Sequence, residues 1–130
     1  MNKTIYFSGE DFQTMQNAFS SLNGVIHTSI GFSNGTTAFP TYEDVLKDTT
    51  GHALTIKVIF DEEVISIHEL VECYFSLLNE NDNKPNYLRS GIYYNDLLDG
   101  VEIELAIVDL SRGKKVAASK LCNFFPTTLN

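Results

Sequence analysis

Apolar and polar residues recur along this chain with two periods, and the switches between them mark its elements. Residues 3–7 form a short β-rich run closed by Ser8-Gly9. Helical spacing follows over residues 11–22, where Phe12, Met15, Phe19 and Leu22 share one stripe, and Asn23-Gly24 ends it as a helix terminus and turn should. Residues 25–32 return to strand character, and Asn34-Gly35 punctuates again. A short helix is expected over residues 41–47, after Pro40. Leu54, Ile56, Val58 and Phe60 alternate with Ala53, Thr55, Lys57 and Ile59, which predicts a strand with one strongly buried face. Asp61-Glu62 turns the chain, and Ser66-x-x-Glu69 is a capping-box signature ahead of a helix over residues 67–78. Residues 79–87 read as a polar loop, residues 91–94 as a short extended run, and residues 97–110 as a helix with Leu97, Val101, Leu105 and Val108 on one side. A final strand is expected over residues 114–118, followed by a tail from Leu121 that is apolar at first and then plain.

The resulting order is β-α-β-(α)-β-α-β-α-β. Its helices at residues 11–22 and 67–78 each connect strands that need not be adjacent. That order suits an α+β fold, a two-layer sandwich around a ferredoxin-like split β-α-β core. A doubly wound parallel sheet is the runner-up, disfavoured because residues 25–32 and 54–60 have no full crossover helix between them.

Length and composition narrow the function classes. A chain of 130 residues is expected to form one domain, residues 1–130, around one core. With 43% apolar and 20% charged residues the composition is globular, not disordered or fibrous. Nine Lys and Arg against 17 Asp and Glu leave a net charge of −8, which repels phosphate backbones and argues against a nucleic-acid partner. No run approaches the ~18 apolar residues of a membrane-spanning helix. The opening MNKTIYFSGED lacks a long apolar region and a cleavage pattern, so the expected location is cytoplasmic, with Cys73 and Cys122 as reduced thiols. Two cysteines make neither a disulfide framework nor a zinc cluster, and no cofactor or metal is expected.

Three stretches stand out when taken together: Ile5-Tyr6-Phe7-Ser8-Gly9, then Pro40-Thr41-Tyr42-Glu43-Asp44-Val45 with Thr50-Gly51-His52-Ala53, then Arg89-Ser90-Gly91-Ile92-Tyr93-Tyr94. Between them lie Leu22-Asn23-Gly24-Val25, Gly31-Phe32-Ser33-Asn34-Gly35 and Val64-Ile65-Ser66. In this order and spacing they resemble the A-type peptide methionine sulfoxide reductases, enzymes for the S epimer of methionine sulfoxide. The resemblance covers about residues 4–94 with few gaps and continues weakly to Asn123-Phe124-Phe125-Pro126. It implies an α+β two-layer sandwich, in agreement with the pattern of elements.

The resemblance also implies where chemistry should sit. The family's nucleophilic cysteine lies in Gly-Cys-Phe-Trp, between the first strand and first helix. Here the matching stretch is Glu10-Asp11-Phe12-Gln13, so Asp11 stands at the cysteine and Gln13 at the tryptophan that packs on the substrate methyl group, while Phe12 is retained. The family's catalytic glutamate follows Gly-His-Ala; here Leu54 follows His52-Ala53. Of the two tyrosines that hold the sulfoxide oxygen, one is retained as Tyr42. The other falls on Leu88, with Tyr87 one position earlier. The family's loop aspartate maps near Asn83 in a shortened loop, and the recycling cysteines of the family tail have no counterpart before Asn130.

These differences matter chemically. In the family, a thiolate takes the sulfoxide oxygen and becomes a sulfenic acid, which a second thiol reduces. A carboxylate oxygen has no accessible higher oxidation state, and leucine cannot act as the general acid that glutamate is. The expectation is a binding or interaction module that keeps a vestigial pocket (Asp11, Phe12, Gln13, Tyr42, His52, Leu54, Tyr87) for a small molecule or methionine-like side chain, without sulfoxide reduction. Two alternatives stay open: a reductase with displaced catalytic residues that draws its thiol from Cys122, and another enzyme using Asp11 and Tyr42 as acid/base groups.

The remaining polar residues have bland readings beside functional ones. Asp11 suits a helix terminus, and Ser8-x-x-Asp11 fits a loose capping box. Cys73, a helical step from Leu70 and Leu77, reads as a core position. His52 reads as a structural hydrogen-bonding residue and His27 as isolated on a strand. His68 and Glu72, four apart on one helix, lack a third metal ligand. Arg89 suits an anion or a structural ion pair, and Gly31-x-x-x-Gly35 lacks the ending of a phosphate loop.

Overall fold

The first strand, β1 (Asn2–Ser8), pairs antiparallel with β3 (Ala53–Asp61), from Asn2 opposite Asp61 to Ser8 opposite Thr55. On its other side it pairs antiparallel with β4 (Gly91–Tyr94). β2 (Val25–Ser33) runs antiparallel to the far side of β3, with one irregularity between Val25 and His27. β1 and β2 are therefore parallel, separated by β3, and joined by α1 (Phe12–Ser20). β3 and β4 are likewise parallel, separated by β1, and joined by α3 (Ile67–Leu77). Two interlocked split β-α-β units result, as the order of elements predicts.

The computed structural model describes residues 1–78 and 83–128. Its sheet is completed by α4 (Leu97–Leu110), which returns from β4 to β5 (Ala118–Lys120), and by β6 (Phe124–Pro126) on the outer side of β2. The strand order is β5-β4-β1-β3-β2-β6, and only β4 and β5 pair in parallel. A doubly wound sheet is excluded, because the central strand pairs are all antiparallel.

The helix-facing side of the sheet carries the core. Ile5, Phe7, Phe32, Leu54, Ile56, Val58 and Phe60 meet Phe12, Met15 and Phe19 of α1 and Leu70, Val71 and Tyr74 of α3 in one cluster. Phe7 stacks on Phe19 at 4.6 Å between ring centroids and tilts against Tyr74 at 5.1 Å. α3 starts where Ser66 and Glu69 satisfy each other's backbone N–H groups, the expected capping box. The other side is more polar. There Ser8 Oγ and Tyr93 OH share a hydrogen bond of 2.8 Å. The Phe124 ring lies over Gly31, where a Cβ would come within 2.5 Å of it, and reaches Tyr6 at 5.3 Å.

Several expectations need correction. The strand expected over residues 114–118 is β5 and begins at Ala118, because Arg112 (φ 46°) and Gly113 (φ 88°) turn the chain and Lys114 Nζ donates to the Phe75 carbonyl at 2.9 Å. β6, within the tail, carries no alternation by which it could be foreseen. The Ser8 hydroxyl plays no part in capping α1; it points to Tyr93. Leu97, Val101, Leu105 and Val108 do lie on one side of α4, as expected, and that side faces solvent, while Asp99, Gly100, Ile103 and Ala106 are buried. Of the expected polar loop, residues 79–82 lie outside the described residues, as do residues 129–130 of the tail. Asn86–Leu88 forms a single 3-10 turn.

Candidate functional site

The candidate site gathers where β1 gives way to α1. Asp11 is the N-cap of α1, and its extended backbone (φ −66°, ψ 160°) lets the side chain fold back over the first turn. One carboxylate oxygen accepts from Thr14 N at 2.8 Å and the other from Thr14 Oγ1 at 3.0 Å. Both oxygens are thus occupied by the same residue, and the group sits where the helix dipole favours negative charge. Asp11 and Gln13 are exposed, whereas Phe12 turns inward and is buried.

Around Phe12 the chain assembles an aromatic cluster. Phe12 lies 5.9 Å from both Phe32 and Tyr42, and Phe32 lies 6.3 Å from Tyr42, with the Tyr42 ring edge-on to both. Tyr42 opens α2 (Tyr42–Leu46), whose capping box joins Thr41 and Asp44. The Thr41 hydroxyl, hydrogen-bonded at that cap, holds the Asp44 carboxyl below its ordinary range. Leu54 sits opposite Phe32 in the β2–β3 register and is only 2% exposed. Phe12, Phe32 and Leu54 belong to the core, and Tyr42, 36% exposed, is where the aromatic cluster reaches solvent. The exposed Tyr42 ring suits an apolar or sulfur-bearing side chain, since thioethers pack well on aromatic rings.

Phe32 was not among the candidate residues. Its signal is its place two residues beyond Ile30, on the same face of the strand.

The other candidates hold structure together. His52 is buried; its Nδ1 accepts from Gly35 N at 3.1 Å and its Nε2 meets the Thr37 carbonyl at 2.7 Å. An N–H donor on one side and a carbonyl on the other require the neutral tautomer protonated at Nε2. Gly35 is needed there, because a Cβ would lie 2.3 Å from the imidazole. Tyr87 is half-buried against the core. Arg89 makes no ion pair among the described residues: it donates to the carbonyls of Gly51 at 2.8 Å, Asn86 at 3.2 Å and Asn34 at 3.4 Å, clamping three loops. His68 Nε2 lies 3.6 Å from Asp109, and His27 Nε2 is 3.1 Å from Ser29 Oγ. No group of three His, Cys, Asp or Glu side chains able to hold a metal occurs among the described residues.

The thiols differ. Cys73 packs against the core, and burial pushes its pKa up. Cys122 is exposed, its thiol meets the Lys120 carbonyl at 4.0 Å, and its backbone N–H donates to Asn34 at 2.8 Å.

Interlocked split β-α-β units, with an aromatic cluster at the N-terminus of the first crossover helix, define an α+β sandwich. The chain belongs to the peptide methionine sulfoxide reductase family, whose sequence profile matches residues 3–125. It is 35% identical over 118 residues to the peptide methionine sulfoxide reductase MsrA of Lachnoclostridium phytofermentans, covering 86% of this chain and 71% of that protein. It is 34% identical over 134 residues to the MsrA of Ureaplasma urealyticum, covering 95% of this chain and 81% of that one. The fold is similar to methionine sulfoxide reductase A of Corynebacterium diphtheriae, with a TM-score of 0.82 at 19% identity over 96% of this chain and 69% of that one. Mxr1 of Saccharomyces cerevisiae in its reduced form gives a TM-score of 0.83 at 17% identity over 98% and 80% of the two chains.

Proposed function

We propose that this chain is a family member without sulfoxide-reducing chemistry, and that it acts as a binding module whose aromatic cluster receives a methionine-like side chain or a small apolar molecule. The reading rests on the Asp11 carboxylate. It occupies the position at which the family resemblance expects a nucleophilic sulfur, and both its oxygens are engaged by Thr14. Leu54 adds support, for a buried leucine at the expected general-acid position has no proton to give. Tyr42, backed by Phe12 and Phe32, offers an exposed aromatic ring on which a methyl-sulfur group can pack.

Asp11 and Tyr42 as an acid/base pair draw less support, since Asp11 is solvent-exposed and committed to its cap. A displaced thiol at Cys122 also lacks support, because among the described residues no cationic side chain bonds its sulfur.

The test is turnover of a methionine S-sulfoxide peptide with excess dithiothreitol, by the native chain and by the Asp11→Cys/Leu54→Glu double variant. The native chain is expected to give none and the folded variant slight turnover. Turnover by the native chain, lost in Cys122→Ser, would overturn the reading in favour of a displaced nucleophile. Binding is read separately, as shifts of the Phe12 and Tyr42 ring resonances when a methionine peptide is titrated in. Rings that do not respond would remove the binding half of the proposal.

A further inference from the structure

The outer face of α4 is apolar where a surface helix should be polar. Leu97, Leu98, Val101, Leu105 and Val108 are 72%, 71%, 52%, 63% and 77% exposed. At α-helical spacing they occupy about 100° of arc, a continuous stripe along the helix. Leu98, Val101, Leu105 and Val108 follow the 3-4-3 spacing of a seam that packs against another helix. The stripe has acidic borders. Glu104 lies along one edge, and Glu102 and Asp109 lie along the other, all exposed. A contiguous exposed patch of this kind marks an interaction surface.

The borders discriminate among occupants. Two copies of α4 pairing antiparallel about a two-fold axis would set Leu98 against Val108 and Val101 against Leu105. The same symmetry brings Glu104 against its own mate and Glu102 against its own, so like charges meet along both edges. An anionic membrane meets the same three acids and a chain of net charge −8. A helix whose apolar seam is edged with Lys and Arg meets none of these penalties and gains on both sides. We propose that the outer face of α4 docks an amphipathic helix of a partner protein, with an apolar seam and basic borders. This goes beyond the reading of Asp11 and Leu54, and its failure leaves that reading untouched.

The probe is a labelled helical peptide with leucines at 3-4-3 spacing and lysines along both borders, beside an otherwise identical peptide with glutamates there. Fluorescence anisotropy with the full chain is expected to show the lysine peptide binding at least about tenfold more tightly than the glutamate peptide. The preference should shrink as salt is added. Leu98→Glu/Leu105→Glu is expected to weaken the lysine peptide at least about tenfold with an unchanged unfolding midpoint, since both side chains are exposed. Equal binding of the two peptides, no binding of either, or binding that survives the variant would overturn the proposal. Self-association in sedimentation velocity that the variant abolishes would assign the face to a second copy, and vesicle binding that it abolishes would assign the face to a membrane. Either result overturns the proposal.

Discussion

Asp11 brings charge and hydrogen bonding together at one helix terminus. A helix N-terminus stabilises any negative group, a thiolate or a carboxylate alike. The carboxylate goes further and caps Thr14 with both oxygens. Asp11→Ala is expected to cost about 1 kcal/mol, a drop of about 4 °C in the unfolding midpoint, whereas Asp11→Ser should keep most of the stability. Thermal melts of the two variants decide this; equal melts would mean that the cap contributes nothing. The two thiols give a second residue-scale prediction. Ellman's reagent should titrate Cys122 in a fast phase and Cys73 in a slow one, because burial raises the Cys73 pKa and leaves less thiolate. Cys122→Ser should remove the fast phase alone. At this scale the candidate residues divide by what a linear pattern can carry. Phe12 and Leu54 stand on periodic elements and are buried, as their spacing implies. Arg89 was unreadable, because its partners among the described residues are three backbone carbonyls that no side-chain pattern announces.

At the scale of elements, strands and helices with strong periods were legible almost to the residue, and capping residues supplied their starts. The failures have physical causes. In α4 periodicity identifies an apolar stripe but says nothing of which way it faces. Asp99 turns inward because Lys3 pairs with it at 2.8 Å, and Gly100 because Tyr94 fills the space its side chain would take. β6 was illegible because only three residues pair, and they are held by partners distant in sequence: Phe32 opposite Phe125, and Asn123 bonded to Asn34 and Gly35. Gly31 is the joint of that assembly. A Cβ there would lie 2.6 Å from the Phe125 carbonyl and 2.5 Å from the Phe124 ring. Gly31→Ala should therefore unseat β6 at a cost of about 1–3 kcal/mol, although alanine is otherwise the better strand residue. The check is hydrogen exchange: the Thr127 amide, which donates to the Ile30 carbonyl, should lose protection while those of β1 and β3 keep theirs.

At the scale of the molecule, Lys3 ties together parts far apart in the chain. From β1 its ammonium reaches Asp99 in the first turn of α4 at 2.8 Å and Glu62, just past β3, at 3.3 Å. The hydrogen bond it donates to Asp99, and then the one it donates to Glu62, hold its pKa well above the ordinary lysine value. The folded state therefore binds this proton more tightly than the unfolded chain does. The resulting stability is complete below the unfolded lysine pKa, near 10.4, and is lost as pH rises above it toward the folded value. Lys3→Met should cost about 1–2 kcal/mol at pH 7, because Asp99 is left mostly buried without its cation; part exposure of Lys3 keeps the loss from being larger. Between pH 10.5 and 12 the native chain should then lose stability faster than the variant, by up to ~1.4 kcal/mol per pH unit, so that the two curves converge. Tyrosine ionisation affects both chains equally and cancels in the difference. Denaturant unfolding at four or five pH values measures it directly, and curves that stay parallel to pH 12 would show that the tie of β1 to α4 adds nothing to the stability of the fold.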